Sequence, residues 1–558
     1  MIEELMAIGN RDPLRGEDAA QPLSPFKLDA IALALLARQS LTSTSVPEAG
    51  RIVTLRYNGD LTIDETDRLH PDTAEQCVLA ARAVGLDVAG IDLIANDISK
   101  PLEPQGGAVI EVNSSPGLIM HLKPLVGFPR PVGEAIIGQL FSADQTGRVP
   151  LCAVSGTNGK TLVAGLIADI LRASGSKVGH VSSDGLRVGD RVLASGERCD
   201  AASMRRALMN PYSDAFVFEI DEPHVLEEGV IFDRCEVAVV TNLGSGDHLG
   251  GKYVDELTPI YKAVRAPVDI VLPTGHAVLN ADDPEVLEMA KHTKGTVLLF
   301  ARSEHSPAVI EHLRTEGRAV VRDGAQLVLC HGTRRTRLLD LADLRCAVLG
   351  LPAFLVDDLL AAVAGAVALG SSAEQIAAGI AHALQASPNF AAGAPPGVAV
   401  FDLPATGARP EGGLLVLTPA HNESALAAWA QHFAEYFSGR LASVLFEPSS
   451  NWLVSEAAGA VERLAQRFSR VAIALNSYTR PFVEAVEMAR TGHDDRPAGP
   501  YLDLMASIDQ LLEGQGASDL FCVAPANAQG FSSTLLFLET KGLSRRSVSG
   551  LASVRHCR

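Results

Sequence analysis

Residues 155–161 (SGTNGKT) combine small residues, a lysine and a hydroxyl at a spacing that could bind phosphate. Gly156 and Gly159 allow the backbone to turn its N–H groups toward an anion, and Lys160 can reach the terminal phosphates of a nucleotide. The Thr161 hydroxyl can hold Mg²⁺ beside those phosphates. This chemistry is nucleotide binding and phosphoryl transfer. The simpler alternative is an ordinary glycine-containing turn.

The elements on either side of the loop favour phosphate binding. Residues 151–154 form an apolar run typical of a buried parallel strand, and apolar residues recur at helical spacing from Thr161 onward. A loop that leads from a strand into a helix presents backbone N–H groups and the positive end of the helix dipole to an anion. The residues that we expect to bind nucleotide in this loop are Gly156, Thr157, Asn158, Gly159, Lys160 and Thr161.

Further apolar strands alternate with helices after this loop. Apolar runs of this kind predict an α/β fold with a doubly wound, mostly parallel sheet, in which ligands bind at the carboxyl ends of the strands. Glu219, Asn242 and His248 fall at or just after such strand ends. The predicted strands are 177–183, 215–220, 237–243 and 276–280.

The N-terminal part of the chain contains a second candidate site. Predicted strands at 88–95 and 108–113 bring Asp92, Glu111 and Asn113 together. Carboxylate and amide oxygens suit Mg²⁺, and a Ser-Ser-Pro-Gly turn follows them. Solvated carboxylates at a strand end are an equally good interpretation. Upstream, the pattern predicts a helix over 27–39 and a strand over 51–56, and a further helix over 71–86.

Composition and charge exclude several classes of partner. The 558 residues carry a formal net charge of −19, which disfavours binding to nucleic acid or to an acidic membrane surface. No stretch reaches about 18 uncharged apolar residues, and residues 1–15 lack the apolar core of a signal peptide. The eight cysteines are scattered and indicate reduced core residues. We therefore expect a cytoplasmic protein.

Two motifs carry a resemblance to known families. A strict phosphate-binding loop has glycine where this chain has Val154, and the form G-T-N-G-K-T at 156–161 resembles that of the Mur ligase superfamily. Residues 91–124 resemble the metal-binding end of an ATP-grasp domain. The order of the two motifs is similar to that of the cyanophycin synthetase family, in which an ATP-grasp domain adds aspartate and a Mur-like domain adds arginine.

The resemblance implies three domains. They are an ATP-grasp C-terminal fragment at 1–142, a Mur-ligase-type central ATP-binding domain at 150–394 and a Rossmann-like C-terminal domain at 395–545. The weakly patterned segment 546–558 is expected to be a disordered tail. The chain begins where the family's ATP-grasp domain is already well advanced. We therefore expect residues 1–142 to keep a fold fragment without a working nucleotide site.

The resemblance also implies catalytic roles. In Mur ligases the residues matching Glu219 and His248 coordinate magnesium, and a lysine matched by Lys262 assists the acyl-phosphate step. The resemblance places Asn242 near the nucleotide, and Lys160 meets its phosphates. His248 could instead be a histidine of an ordinary turn after Gly-Asp.

Four later residues match positions near the nucleotide in the family. Asn280 and Asp283 stand in the NADDP segment, and His421 and Asn422 match a family turn that faces the nucleotide and the amino-acid substrate. Asn280 and Asp283 could equally cap the helix that starts at Pro284.

The implied function is ATP-dependent formation of an amide through an acyl-phosphate, with ATP and Mg²⁺ as cofactors and an amino acid, peptide or polymer as substrate. Departures from the family fall at the acceptor site. The run 221–224 replaces an arginine-glycine-glycine sequence, Thr418 replaces an aspartate, and an arginine is missing near 397–398. Two hypotheses follow: a ligase with altered substrate choice, or a non-catalytic homologue that partners or regulates a full-length synthetase. Within the ligase hypothesis, a folylpolyglutamate- or peptidoglycan-type substrate is a runner-up, which the resemblance to an ATP-grasp fragment disfavours. We also expect a homo-oligomer.

Overall fold

The protein is described from a computed structural model. It forms two compact units, Met1–Arg148 and Val149–Arg558. In the described part of the chain, no helix has the length and apolar character needed to cross a membrane. The described residues are 1–12, 15–17, 21, 23–56, 62–124, 126–142, 145–244, 257–344, 351–386, 398–403, 405, 413–418, 423–437, 442–447, 463–468, 470–474, 504–512, 520–525 and 528–543.

The described residues of the first unit form helices and one pair of strands. The two strands pair antiparallel, and Ile2, Met6, Leu36 and Leu41 form a small core. Its elements are α1 (Ile2–Gly9), α2 (Ala30–Arg38), α3 (Pro71–Val84), β1 (Gly90–Ile94), β2 (Ala108–Asn113), α4 (Ile119–Leu122) and α5 (Val132–Leu140). The helices predicted over 27–39 and 71–86 are confirmed.

The strand predicted at 51–56 is wrong. The backbone of Thr54 bonds to a side chain instead of to a second strand, since its N–H donates to Gln39 Oε1 at 3.0 Å and its carbonyl accepts from Gln39 Nε2 at 2.7 Å. A strand needs a backbone partner along its length, and here the Gln39 amide satisfies the Thr54 groups that would have formed the ladder.

The second unit contains a large sheet that confirms the predicted α/β fold. Within the described residues the sheet has 11 strands in the order β13-β12-β11-β10-β9-β8-β3-β7-β4-β5-β6. Its strands are β3 (Leu151–Ser155), β4 (Val178–Ser182), β5 (Gly185–Val188), β6 (Arg191–Ser195), β7 (Ala215–Glu219), β8 (Cys235–Val240), β9 (Val271–Asn280), β10 (Thr296–Ala301), β11 (Arg318–Asp323), β12 (Gln326–His331) and β13 (Arg334–Asp340). From β11 to β4 every neighbouring pair is parallel, and antiparallel strands complete both edges.

Helices cover both faces of this sheet. Cys152 and Val154 of β3 belong to one apolar cluster, whereas Leu151 and Ala153 belong to the other, so the strand is buried on both sides. The helices are α6 (Lys160–Ala173), α7 (Ala201–Leu208), α8 (Glu222–Glu228), α9 (Leu257–Asp269), α10 (Pro284–Glu288), α11 (Pro307–Arg314), α12 (Ala353–Ala368) and α13 (Ala373–Ala386). The predicted helical pair at 355–385 is confirmed as α12 and α13, which pack on α6.

A smaller sheet lies further along the chain. Its strand order is β14-β15-β18-β16-β17, and only the β14–β15 pair among its described strands is antiparallel. Its elements are β14 (Ala399–Leu403), β15 (Gly413–Leu417), α14 (Glu423–Tyr436), β16 (Ala442–Phe446), β17 (Arg470–Ile473), α15 (Leu504–Leu512), β18 (Leu520–Ala524) and α16 (Ala528–Thr540). The predicted tail at 546–558 lies outside the described residues, and the domain boundaries given above stay predictions.

Candidate functional site

The loop between β3 and α6 has a backbone that requires glycine at two positions. Gly156 and Gly159 have φ values of +126° and +83°, which residues other than glycine rarely adopt. A Cβ on Gly156 would lie 2.1 Å from Thr241 Oγ1, and one on Gly159 would lie 2.0 Å from Asp358 Oδ1. Backbone conformation and close approach therefore both select glycine, as expected for a loop that turns its N–H groups toward an anion.

The segment after β8 fixes this loop through hydrogen bonds. The Thr157 N–H donates to the Asn242 carbonyl at 2.9 Å, and the Asn158 N–H donates to Asn242 Oδ1 at 3.0 Å. The Asn158 carbonyl accepts from Asn242 Nδ2 at 3.0 Å and from Thr241 Oγ1 at 2.7 Å. The role of Asn242 that the structure displays is therefore to hold the loop in shape.

Asn280 and Asp283 hold the backbone of this segment after β8. Asn280 Nδ2 donates to the Thr241 carbonyl at 2.8 Å, and Asp283 Oδ2 accepts from the Leu243 N–H at 2.8 Å. Asp283 Oδ1 also caps α10 by accepting from the backbone of Val286 at 3.2 Å. The capping alternative for Asp283 is thus observed, and the nucleotide contact stays a prediction for both residues.

Lys160 has a partner that the sequence did not reveal. Its ammonium donates to Glu222 Oε2 at 2.9 Å and to Oε1 at 3.2 Å, and the two residues are only 8% and 1% exposed. Burial opposes the charged form of Lys160, but the surrounding carboxylates, Glu222 foremost, raise its pKa above the ordinary value. We therefore describe Lys160 as a buried cation held by a buried carboxylate.

Glu219 and Thr161 lie together at the ends of β7 and the loop. Glu219 Oε1 accepts from Thr161 Oγ1 at 2.9 Å and from Ser183 Oγ at 3.0 Å, and Oε2 accepts from the Ser183 N–H at 2.9 Å. Burial raises the pKa of Glu219. Ser183 was not among the predicted site residues, although it follows β4 at the same edge of the sheet and could have been found by that rule.

A carboxylate beside a hydroxyl fits a magnesium site. Both groups offer the oxygen atoms that Mg²⁺ prefers, and a divalent cation would compensate the burial of the Glu219 charge. The third predicted ligand, His248, lies outside the described residues. The donor set that is described, Thr161 and Glu219, therefore suits Mg²⁺.

Lys262 is exposed on α9. The helix is anchored to the end of β3 because Ser155 Oγ donates to the Val264 carbonyl at 2.8 Å. The described residues offer Lys262 no hydrogen-bond partner, and its catalytic role stays a prediction.

The smaller sheet contributes a helix to the loop. Asn158 Nδ2 donates to Ser424 Oγ at 2.7 Å, at the start of α14. Further along the same helix, Trp429 packs edge-on against Phe354 of α12 with ring centres 5.1 Å apart. His421 and Asn422 immediately precede α14 and lie outside the described residues.

The N-terminal candidate has a different character. Asp92 and Glu111 stand directly opposite one another on β1 and β2, and both are exposed, while Asn113 pairs with Gly90 further along. Among the residues that the structure describes, no group of three or more histidine, cysteine, aspartate or glutamate side chains is placed to hold a metal ion. A magnesium site made by Asp92, Glu111 and Asn113 stays a prediction.

The arrangement around the loop can bind a phosphate chain and a divalent cation. The glycine-shaped loop and the N-terminus of α6 offer backbone donors, Lys160 offers a positive charge, and Thr161 with Glu219 offers oxygen ligands. These are the groups needed to neutralise negative charge during phosphoryl transfer.

Comparison with known proteins identifies a family model and relatives that are similar to this chain. Residues 154–363 match the model of the Mur ligase middle domain. The cyanophycin synthetase of Geminocystis herdmanii is 35% identical over 384 residues, which are 68% of this chain and 44% of that protein. The chain therefore spans less than half the length of this relative.

Two further comparisons cover different shares of the chain. The glutathione biosynthesis bifunctional protein GshAB of Mannheimia succiniciproducens is 37% identical over 147 residues, 25% of this chain and 19% of that protein. The solved structure of a murein peptide ligase from Psychrobacter arcticus covers 85% of this chain and 97% of its own, with 16% identity and a TM-score of 0.45.

Proposed function

Since this chain is a cyanophycin synthetase-like protein of the Mur ligase superfamily, we propose that it is an ATP-dependent ligase that joins a carboxylate to an amine. The observation that carries the proposal is the pairing of Thr161 with the buried Glu219 beside a glycine-shaped loop. A buried carboxylate is costly unless it is paired or binds a cation, so its place next to the loop supports a metal–nucleotide site.

In this proposal the loop binds the phosphates of ATP. Lys160 neutralises charge at the β- and γ-phosphates, while Thr161 and Glu219, joined by His248, hold Mg²⁺. Bound Mg²⁺ would supply further neutralisation of the phosphoryl group as it moves to the substrate carboxylate. The protein then has to position an amine against the resulting acyl-phosphate and exclude water.

The remaining roles come from the family resemblance. Lys262 would assist formation of the acyl-phosphate. Asn242, Asn280 and Asp283 would line or support the nucleotide site, and His421 with Asn422 would face the nucleotide from the C-terminal domain. The bond between Asn158 and Ser424 supports this last proposal, because it joins the loop to the helix that directly follows His421 and Asn422.

The acceptor is proposed to differ from that of the cyanophycin synthetases. His224 Nδ1 and Asp221 Oδ2 form a hydrogen bond of 3.0 Å, and the Asp221 carboxylate raises the pKa of the His224 imidazole. Glu222 of the run 221–224 is buried against Lys160, so the Asp221 carboxylate would be the group that repels a polyanionic chain, whereas a small or cationic acceptor would be tolerated. An acceptor panel should therefore include aspartate polymers with and without arginine on their side chains.

The first test is ATP-dependent phosphate release with Mg²⁺ and this panel. Replacing Lys160 by alanine should weaken ATP binding by at least about 1.5 kcal/mol, because it removes charge-assisted hydrogen bonds to phosphate. Lys177→Ala is the matched control, since Lys177 is exposed beyond the far end of α6. Equal ATP affinity of Lys160→Ala and the parent in calorimetry would contradict the proposal.

Phosphate release separates the ligase from a non-catalytic homologue. A protein that binds ATP and consumes it with one member of the panel is a ligase. One that binds ATP but releases no phosphate with any acceptor would favour a role as partner of a full-length synthetase.

A further inference from the structure

The Lys160–Glu222 pair bears on the proposed reaction. The ammonium that should meet phosphate is bonded to both carboxylate oxygens of Glu222, at 2.9 and 3.2 Å, in a place that solvent hardly reaches. A carboxylate bonded through two oxygens offers this lysine what a phosphate would offer, namely negative charge and acceptor atoms.

The backbone fixes Glu222 beside the loop. After β7 the Ile220 N–H donates to the Val154 carbonyl at 2.8 Å, which ties this segment to the strand that leads into the loop. Asp221 then occupies the N-cap position of α8 without a capping hydrogen bond from its side chain, Glu222 is the first residue of the helix, and Pro223 follows. The first turn of a helix favours a carboxylate, so the helix end and Lys160 both hold the Glu222 charge in place.

From this geometry we propose that Glu222 is a positioning residue that competes with nucleotide phosphate for Lys160 and thereby sets the affinity for ATP. The proposal deepens the proposed function and rests on it. Nucleotide can engage the lysine fully only by weakening the bonds to Glu222. Because a buried charge that loses its partner is costly, part of the binding free energy of ATP is spent on this exchange.

The proposal predicts two effects of opposite direction when the Glu222 charge is removed. Without ATP, Lys160 becomes a buried cation with a neutral partner, so the protein should unfold at a lower temperature. With ATP, the lysine is released to the phosphate, so the nucleotide should bind more tightly. If Glu222 had a purely structural role, removing its charge would lower both the stability of the protein and its affinity for ATP.

The experiment uses the full chain with Glu222→Gln, which keeps the shape of the side chain and removes its charge. Calorimetric titration with ATP and Mg²⁺ should show binding about tenfold tighter than in the parent, the size expected for one charged hydrogen bond. The melting temperature without nucleotide should fall, and its rise on adding ATP should be larger than in the parent.

The control is Glu227→Gln, which makes the same charge change at an exposed position of α8 and should leave ATP affinity unchanged. Glu222→Asp guards against a glutamine variant that fails to fold, because it keeps the charge but withdraws the carboxylate. The ATP affinity of Glu222→Asp should lie between that of the parent and that of Glu222→Gln.

Three outcomes would overturn the inference. Equal ATP affinity of the parent and both Glu222 variants would overturn it alone, since nucleotide binding by the parent still supports the proposed function. Weaker affinity together with lower stability would assign Glu222 a structural role. Absence of ATP binding in the parent and in every variant would overturn the proposed function and this inference together.

Discussion

The carboxylates of Glu219 and Asp358 beside the loop at 155–161 are buried, whereas the Asp64 carboxylate of the first unit is paired with the Arg130 guanidinium. Burial raises the pKa of Glu219, and it raises that of Asp358, with help from the neighbouring Asp357 carboxylate, to about 8. In the first unit, hydrogen bonds from Arg130 and Thr66 hold the pKa of Asp64 below its ordinary value.

The two kinds of carboxylate make opposite contributions to the free energy of folding. A carboxylate whose pKa is raised by burial opposes folding at neutral pH, while one whose pKa is lowered by donors contributes stability there. Groups that oppose folding collect where chemistry requires them, so their concentration around the loop marks this region as the functional one. The first unit shows no comparable concentration among its described residues.

The largest expected effect comes from adding a methyl group to the loop. Gly159 and Gly85 share nearly the same φ, +83° and +84°, but a Cβ on Gly159 would meet Asp358 whereas one on Gly85 would meet nothing within 4 Å. The φ alone should cost each alanine variant about 1–2 kcal/mol. Gly159→Ala should also displace the loop and lower turnover by about a hundredfold, the effect of roughly 1 Å of misplacement.

Thermal unfolding measures the loss of stability caused by the positive φ, and phosphate release measures the loss of turnover caused by displacement of the loop. Gly85→Ala is the matched control and should lower the melting temperature without changing turnover. Equal turnover of Gly159→Ala and the parent would show that the loop tolerates displacement and does not position the reacting groups.

The next effect is a pH dependence caused by Asp358. Its pKa is raised in the folded protein, so between about pH 4 and about pH 8 the folded state keeps a proton that the unfolded state releases. Stability of the parent should therefore fall as pH rises through this window, by at most about 1.4 kcal/mol for each pH unit. Asp358→Asn should remove that slope and be the more stable protein at pH 8.

Melting temperatures of parent and Asp358→Asn from pH 4 to pH 9 check this prediction. The two melting temperatures should be equal near pH 4, and as pH rises that of Asp358→Asn should increasingly exceed that of the parent. Parallel curves over the whole range would mean that Asp358 is ionised in the folded protein despite its burial.

A pH dependence of opposite sign is expected in the first unit. Arg130 donates to Asp64 Oδ2 from Nε at 2.9 Å and from Nη2 at 2.6 Å, and this pairing lowers the pKa of the carboxyl. The stability it contributes should be complete above the ordinary pKa of about 3.9 and decline as pH falls below it. Asp64→Asn should therefore lower the melting transition of this unit at pH 7 and make little difference in strong acid.

Sequence patterns predicted the elements of the large sheet better than the contacts of its site. The run 151–154 is apolar on both faces of its strand, which is a local signal. The β5–β6 hairpin was missed because most of its outer strand is exposed and weakly patterned. The contacts of Lys160 with Glu222 and of Gly159 with Asp358 join distant parts of the chain, so no local pattern could indicate them.

The smallest effect is expected at the β1–β2 pair. Asp92 and Glu111 are exposed and directly opposite, and like charges in that arrangement repel by less than about 1 kcal/mol. Replacing both by alanine should therefore leave the first unit equally stable or slightly more stable. If the residues bind no metal that the proposed reaction needs, phosphate release should also remain at the parent level, whereas Glu219→Gln in the same assay should nearly abolish it. A loss of turnover as large as that of Lys160→Ala, in a double variant with an unchanged melting temperature, would show that the first unit takes part in catalysis. Adding Mg²⁺ before melting sharpens the result, because a metal site would give the parent a rise in melting temperature that the double variant lacks.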